Sequence, residues 1–100
     1  MRQFVFIYKG RLDTKRFNTE ERCRKASAFL LQCFETHTAS QRVVGDDTKV
    51  HVNASSGIIE FGCTLRDVGP AEEDELVEYF KRCVSTLNAI DDQKFAQLGW

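Results

Sequence analysis

Cysteines and histidines are the residues of this sequence best suited to chemistry, and their spacing decides whether they can act together. A zinc site needs three or four converging ligands, usually with some of them close together in sequence. The two histidines lie fourteen residues apart, and no two cysteines form a C-x-x-C motif. We therefore expect no metal and no cofactor, and we interpret the thiols as small apolar side chains of the core. The cysteines are Cys23, Cys33, Cys63 and Cys83.

A Cys/His or His/carboxylate pair is the remaining route to catalysis. A reactive thiol must be partly exposed and close to a base. The strand register described below turns Cys63 and His51 to opposite faces of the sheet, while His51 faces Glu60 as a solvated cross-strand pair. A small cysteine- or histidine-dependent enzyme is therefore the least favoured alternative, and we expect a protein that is not an enzyme.

Basic residues are concentrated between Lys9 and Lys25, where seven of them stand against three acidic ones. A surplus of four positive charges could neutralise a few phosphates, which is enough for weak, salt-sensitive binding. Such a run is also typical of a solvated face. Nucleic-acid binding through segment 9–25 is therefore an alternative function. The basic candidates for partner binding are Arg11, Lys15, Arg16, Arg22, Arg24 and Lys25.

Acidic residues form a second group, in the first turn of a predicted helix, where negative charge stabilises the helix dipole. Residues 1–50 carry a net charge of +4 and residues 51–100 a net charge of −5, so we predict a charge-divided surface. Trp100 is a further candidate, because Trp and Arg are frequent interface anchors, although it could also pin its own tail. The acidic candidates are Glu72, Glu73, Asp74 and Glu75.

Two elements are predicted in the first 40 residues. Both alternating sets of side chains in residues 3–8, QFVFIY, are apolar, which favours a strand that is covered on both faces or lies centrally in a sheet. Asn18, with Glu21 three residues later, predicts the start of a helix in capping-box style. One arc of that helix holds the apolar residues Cys23, Ala26, Phe29, Leu30, Cys33 and Phe34, and Leu31 lies outside it.

Three strands are predicted next, in residues 41–44, 48–53 and 57–66. If the ASSG loop makes a hairpin, Val52 faces Ile59 and Val50 faces Phe61 on one side of the sheet. The outward side of the last strand then holds polar residues and Ile58 rather than aromatic ones, which is a poor platform for stacking nucleic-acid bases.

A long helix is predicted after Gly69, with Pro70 at its first position and an apolar stripe from Leu76 to Ile90. Glu78 and Arg82 have the spacing of an ion pair. The tail, residues 91–100, is too short to classify, and whether it adds a further strand is open.

The predicted fold is an α+β domain of order β-α-β-β-β-α, spanning residues 1–100, with a mainly antiparallel sheet and two helices packed on one face. The order after the first strand resembles that of double-stranded RNA-binding domains. That family presents lysines at the start of its second helix, where this chain reads AEEDE. The resemblance therefore implies topology and no function.

We expect a small non-enzymatic protein-binding module, such as an inhibitor, an adaptor or an immunity-type protein of the kind that phages and mobile elements encode. It would occlude the surface of a protein or nucleoprotein complex through its charge-divided exterior. A homodimer is a related expectation, because unlike faces of two copies could meet. The chain lacks an apolar run that could span a membrane and begins without a signal peptide, so a cytoplasmic location is expected.

Overall fold

A computed structural model describes residues 2–100 of the chain. Within them the fold is α+β, with one open, three-stranded antiparallel sheet and three α-helices. The strands are β1 (Gln3–Arg11), β2 (Lys49–Val52) and β3 (Ile58–Arg66), and the α-helices are α1 (Glu20–Glu35), α2 (Pro70–Asn88) and α3 (Asp92–Leu98). A short 3₁₀-helix occupies Thr38–Arg42. The strand order is β1-β3-β2, so β3 is the central strand.

The first strand lies at an edge of the sheet, and the prediction that it is central or covered on both faces is wrong. β3 takes the central place because it pairs with β1 on one side and with β2 on the other. Phe6 and Tyr8 point into the core, whereas Val5 and Ile7 point to the opposite face and are exposed. An unbroken apolar run in residues 4–8 of β1 therefore did not mean burial of both faces.

The hairpin between β2 and β3 has the predicted register. Val52 pairs with Ile59, Val50 pairs with Phe61, and His51 pairs with Glu60. One face of the hairpin is thus apolar and the other is polar.

The turn of this hairpin needs a glycine at its last position. Gly57 has φ +78°, and a Cβ atom there would lie 2.5 Å from the Leu12 carbonyl oxygen. The same glycine accepts the Leu12 N–H at 2.7 Å, so the turn also fixes the chain after β1.

Residues 41–44 do not form the predicted strand. Ala39 donates its N–H to His37 Nδ1, which caps a 3₁₀-helix that continues to Arg42. The backbone of this segment meets the backbone of β3 at Val43, through an isolated bridge to Leu65, and at Val44, through a hydrogen bond to the Thr64 carbonyl. The side-chain cap competes successfully with strand pairing in this segment.

Helix α1 begins one residue later than its sequence indicates. Thr19, rather than Asn18, is the N-cap residue, and its hydroxyl accepts the Arg22 N–H at 3.1 Å. Four of the six residues predicted for the inner face are buried, namely Cys23, Ala26, Leu30 and Phe34, whereas Phe29 and Cys33 are half-buried.

Helix α2 begins as predicted, with Gly69 as the N-cap residue and Pro70 in its first turn. The Glu72 carboxylate accepts the Gly69 N–H at 3.4 Å. The predicted apolar stripe is buried. Glu78, however, pairs with Lys81 at 3.1 Å rather than with Arg82, so the predicted i,i+4 pair is replaced by an i,i+3 pair.

An aromatic cluster between the sheet and the helices shows that α1 and α2 cover the same face. The Phe61 ring of β3 lies 4.7 Å from the Phe34 ring of α1 and 4.7 Å from the Phe80 ring of α2. Phe6 of β1 extends the cluster, 5.9 Å from Phe80. The opposite face of the sheet is left without a helix over it.

The tail forms helix α3 and adds no strand. Asp91 caps it by accepting the Lys94 N–H at 2.8 Å, and Phe95 is buried against Phe17 at 5.5 Å. The element order is therefore β-α-β-β-α-α, and the predicted order with two helices is corrected in its second strand and its last helix. The three-strand meander behind the resemblance to RNA-binding domains is absent from residues 2–100. No helix in this range is long and apolar enough to cross a membrane.

Candidate functional site

The uncovered face of the sheet, which we call the open face, carries the most exposed apolar side chains of the described residues. It consists of the outward side chains of the three strands. Val5 is 65% exposed and Ile7 is 55% exposed, and both belong to edge strand β1. Large aliphatic side chains side by side in water are candidates for burial against a partner.

A depression lies beside these two residues, because the central strand has a glycine there. Gly62 of β3 pairs with Ile7 on one side and with Lys49 on the other. A hollow of about 310 Å³ lies over Gly62, with Val5 and Ile7 as one wall and β2 as the other. The residues around it are Val5, Ile7, Asp47, Lys49, His51, Glu60, Gly62 and Cys63.

The backbone does not require a glycine at this position. Gly62 has an ordinary strand conformation with negative φ, and a Cβ atom added to it would meet only the Phe6 carbonyl oxygen, at 4.0 Å. A glycine inside a strand weakens it and often marks a place where another group approaches closely. The hollow is therefore available to a group from outside the chain.

Charged side chains surround the apolar part of the open face. Lys9 pairs with Glu60 at 3.6 Å, with both side chains largely exposed. The Thr64 hydroxyl donates to Asp47 Oδ2 at 2.6 Å, and this hydrogen bond lowers the pKa of Asp47. Asp47 therefore stays ionised. Lys49 is exposed and forms no ion pair with any residue in the range 2–100.

The two predicted charged groups lie at opposite ends of the helical layer. Helix α1 begins beside the end of α2, where the Arg16 guanidinium donates to the Asn88 carbonyl. It ends beside the start of α2, where His37 Nε2 lies 3.3 Å from a Glu75 carboxylate oxygen. The predicted separation of charge is thus along the long axis of the helices rather than between two faces.

Half of the predicted basic group is engaged within the molecule. Arg22 donates to the Arg16 carbonyl at 2.9 Å, and its guanidinium lies 4.1 Å above the Phe95 ring. Arg24 forms a two-pronged pair with Glu21 at 2.6 Å. Arg16 also approaches Asp13 at 3.7 Å. These arginines connect loop, α1 and α3, and their charges are partly compensated.

The other half is less constrained. Arg11 ends β1 on the open side of the sheet, and Lys15 lies in the following loop; both are exposed. Lys25 is half-buried on α1. The side chains of these three residues form no ion pair within residues 2–100. They remain predicted contact residues.

The predicted acidic group is divided in the same way. Glu72 pairs with Arg42, and Glu75 faces His37, so two of its carboxylates connect α2 to the 3₁₀-helix. Asp74 is exposed, and Glu73 is half-buried. The part of this group that is left for a partner is therefore smaller than its sequence indicates.

His37 is a structural residue that the sequence did not indicate. Its Nδ1 accepts the Ala39 N–H at 3.0 Å, which leaves the proton on Nε2, facing Glu75. The ring also packs 4.6 Å from the Tyr79 ring. His37 therefore joins the end of α1 to the start of α2.

Trp100 packs on its own tail. It is half-buried, and its ring lies 6.1 Å from the Phe95 ring. The backbone N–H of Trp100 donates to the Phe95 carbonyl at 3.0 Å. This arrangement corresponds to the pinned tail weighed above, although part of the indole is still accessible.

The thiols lie in or against the core, as expected from their positions. Cys23, Cys63 and Cys83 are buried and Cys33 is half-buried. Burial raises the pKa of Cys33 to about 12, with a contribution from a hydrogen bond with Cys83, and burial raises the pKa of Cys63 to about 12 as well. No group of three or more His, Cys, Asp or Glu residues within 2–100 could hold a metal ion.

The residues that sequence reasoning missed are Val5, Ile7 and Gly62. The apolar run in β1 predicts a strand that is covered on both faces or lies centrally. The residues of one strand do not show that it pairs with another strand on one side only. The glycine in the middle of GIIEFGCTLR was a usable signal, since strand interiors disfavour glycine.

Comparison of the chain with protein-family models, with curated proteins and with solved structures finds no match. The residues of the chain itself are therefore the basis for the function proposed below.

Proposed function

We propose that the chain is a small, non-enzymatic protein-binding module that covers part of a partner's surface with the open face of its sheet. Inhibitors and adaptors act in this way. The observation that carries the proposal is the exposure of Val5 and Ile7 beside the hollow over Gly62. Burying such aliphatic surface stabilises a complex by about 25 cal/mol per Å² before the costs of association.

The charged ends support a secondary role in this proposal. Fields from Arg11 and Lys15 at one end and from Asp74 at the other would orient an approaching partner and speed encounter more than they would add affinity. The open face would then supply the contact area. This assignment moves the main contact from the predicted charged groups to the side of the sheet that faces away from the helices.

Position-specific cross-linking in cells of the source organism tests the proposal. We would replace Ile7 by the photoreactive residue p-benzoylphenylalanine and place the same residue at exposed Gln32 on α1 as the matched control. We expect a covalent adduct with another protein from position 7 and none from position 32. Equal adducts from both positions, or no protein adduct from position 7, would refute the proposal.

Nucleic-acid binding through segment 9–25 predicts a different result. Affinity for a DNA or RNA duplex would fall steeply with salt concentration and would be lost in the Arg22→Ala, Arg24→Ala double variant. The engagement of Arg22 with Phe95 and of Arg24 with Glu21 speaks against this alternative. Fluorescence anisotropy at 20 and 200 mM salt, about the range over which phosphate contacts weaken, measures it directly.

A further inference from the structure

The hollow over Gly62 has two unlike walls. On the β1 side are the aliphatic side chains of Val5 and Ile7. On the β2 side are Lys49, which has no ion pair within residues 2–100, the imidazole of His51 and the Asp47 carboxylate, and Glu60 of β3 also lines the hollow. A group that fills the hollow would therefore meet hydrocarbon on one side and, on the other, an ammonium group flanked by two carboxylates, of which Asp47 accepts from Thr64 and Glu60 pairs with Lys9.

The open face as a whole has a surplus of positive charge. The outward positions of the strands hold four cations, and two carboxylates face them, which leaves a surplus of two positive charges with neutral histidine. Glu60 is compensated by Lys9, whereas Lys49, Arg11 and Arg66 form no ion pair within residues 2–100, and Asp47 beside Lys49 is hydrogen-bonded to Thr64. The cations are Lys9, Arg11, Lys49 and Arg66, and the carboxylates are Glu60 and Asp47.

We infer that the open face binds an acidic segment of a partner protein in which an aliphatic or aromatic side chain lies next to a carboxylate. The apolar side chain would fill the hollow against Val5 and Ile7, and the carboxylate would pair with Lys49. The inference rests on the proposed function, because it names the partner chemistry for the same face.

A second copy of the chain fits this face less well. Two open faces packed together would bring a positive surplus against a positive surplus, and like charges across an interface disfavour association. An acidic partner gains from the same charges.

The experiment selects ligands without assuming a sequence. Random twelve-residue peptides displayed on phage are selected on the immobilised full chain, and the enriched peptide is synthesised with a fluorescent label. We expect a consensus in which Asp or Glu adjoins Leu, Ile, Phe or Trp. A matched peptide with each acid replaced by Lys serves as the charge control.

Two variants of the protein then locate the site. Gly62→Val adds a branched side chain at the floor of the hollow and is compatible with the strand, because its Cβ atom would meet no atom closer than 4.0 Å. We expect it to weaken binding of the acidic peptide by about tenfold or more, as loss of a central anchor does. Lys49→Glu should weaken the acidic peptide by a similar factor and improve the lysine peptide. Lys94→Glu on α3 makes the same charge change far from the face and should alter neither affinity.

Circular dichroism and urea unfolding of Gly62→Val serve as the folding check. We expect an unchanged spectrum and an equal or higher urea midpoint, because valine favours a strand more than glycine does. A loss of binding in a variant that stays folded is then a property of the face.

The outcomes separate this inference from the proposed function. A neutral or basic consensus whose binding is lost in Gly62→Val would overturn the acidic specificity and leave the open face as a binding surface. Selected peptides that bind Gly62→Val as tightly as wild type, together with no adduct from position 7, would overturn both. A dimer of the free chain by light scattering that becomes a monomer in Gly62→Val would assign the face to a second copy and overturn the inference.

Discussion

Phe6 and Ile7 are neighbours in β1 and both are large apolar residues, yet Phe6 is 1% exposed and Ile7 is 55% exposed. Phe6 contacts Phe61 and Phe80 in the layer between sheet and helices, whereas Ile7 faces the hollow over Gly62. The comparison shows that one strand serves two purposes. Its inner residues hold the fold together, and its outer residues are free to be covered by something else.

The charged ends of the molecule give the opposite lesson. Their residues looked free in the sequence, but Arg22, Arg24 and Glu72 are engaged within the chain. Large apolar side chains that lie exposed next to each other indicate a contact surface more strongly than charges that are already paired within the chain. The open face is therefore the more informative surface.

The largest change in stability is expected from a substitution on the inner face of β1. Phe6→Ala should lower the free energy of unfolding by about 3 to 5 kcal/mol, because it leaves a cavity in the aromatic cluster. Ile7→Ala, the matched change one residue later, should cost less than about 1 kcal/mol, since its side chain is already in water. Urea unfolding followed by circular dichroism measures both. Equal losses in the two variants would mean that the outer face is also covered.

The parts of the fold that local residues determine could be predicted from the sequence. The β2–β3 hairpin was predictable to the residue, because turn chemistry and the alternation of apolar with polar side chains fix its register locally. Helix α2 was equally clear, since Pro70 and its apolar stripe agree.

Features that depend on contacts between distant parts of the chain could not be predicted from the sequence. Whether 41–44 pairs as a strand depends on His37 accepting the Ala39 N–H and on Arg42 reaching Glu72, 30 residues away. The order β1-β3-β2, which exposes Val5 and Ile7, is likewise set by competition among strands. The candidate site therefore appeared only with the fold, although Gly62 had been visible as an irregularity.

The second prediction concerns the thiols, which lie in or against the core. Cys33 and Cys63, with pKa values raised to about 12, stay protonated at pH 8, and a protonated thiol is a poor nucleophile. We expect labelling by a disulfide reagent to be at least about a hundredfold slower in the native protein than in denaturant. Ser55→Cys in the exposed hairpin turn supplies a fast-reacting control. Rapid labelling of the native wild-type chain would return the cysteine-dependent enzyme to consideration.

The same pKa values predict a loss of stability in alkali. Unfolded thiols release their protons near pH 8.5, whereas in the folded protein Cys33 and Cys63 hold theirs until about pH 12. Between these values the folded state binds more protons, so the free energy of unfolding falls as the pH rises. The raised pKa values of Tyr8 and Tyr79 act in the same direction. A urea midpoint that rises from pH 8 to pH 10.5 would contradict this.

The smallest changes in stability are expected from substitutions at the basic end of the molecule. Arg22→Ala removes a guanidinium that lies over Phe95 and a hydrogen bond to the Arg16 carbonyl, and it should lower the free energy of unfolding by about 1 to 2 kcal/mol. Arg24→Ala, two residues away with the same charge, removes only an exposed pair with Glu21 and should change stability little. Urea midpoints at low and high salt measure both. If Arg24→Ala proved the more destabilising, or if both losses vanished in high salt, the arginines would act as free surface charges, and the basic end would regain its claim to be the contact surface.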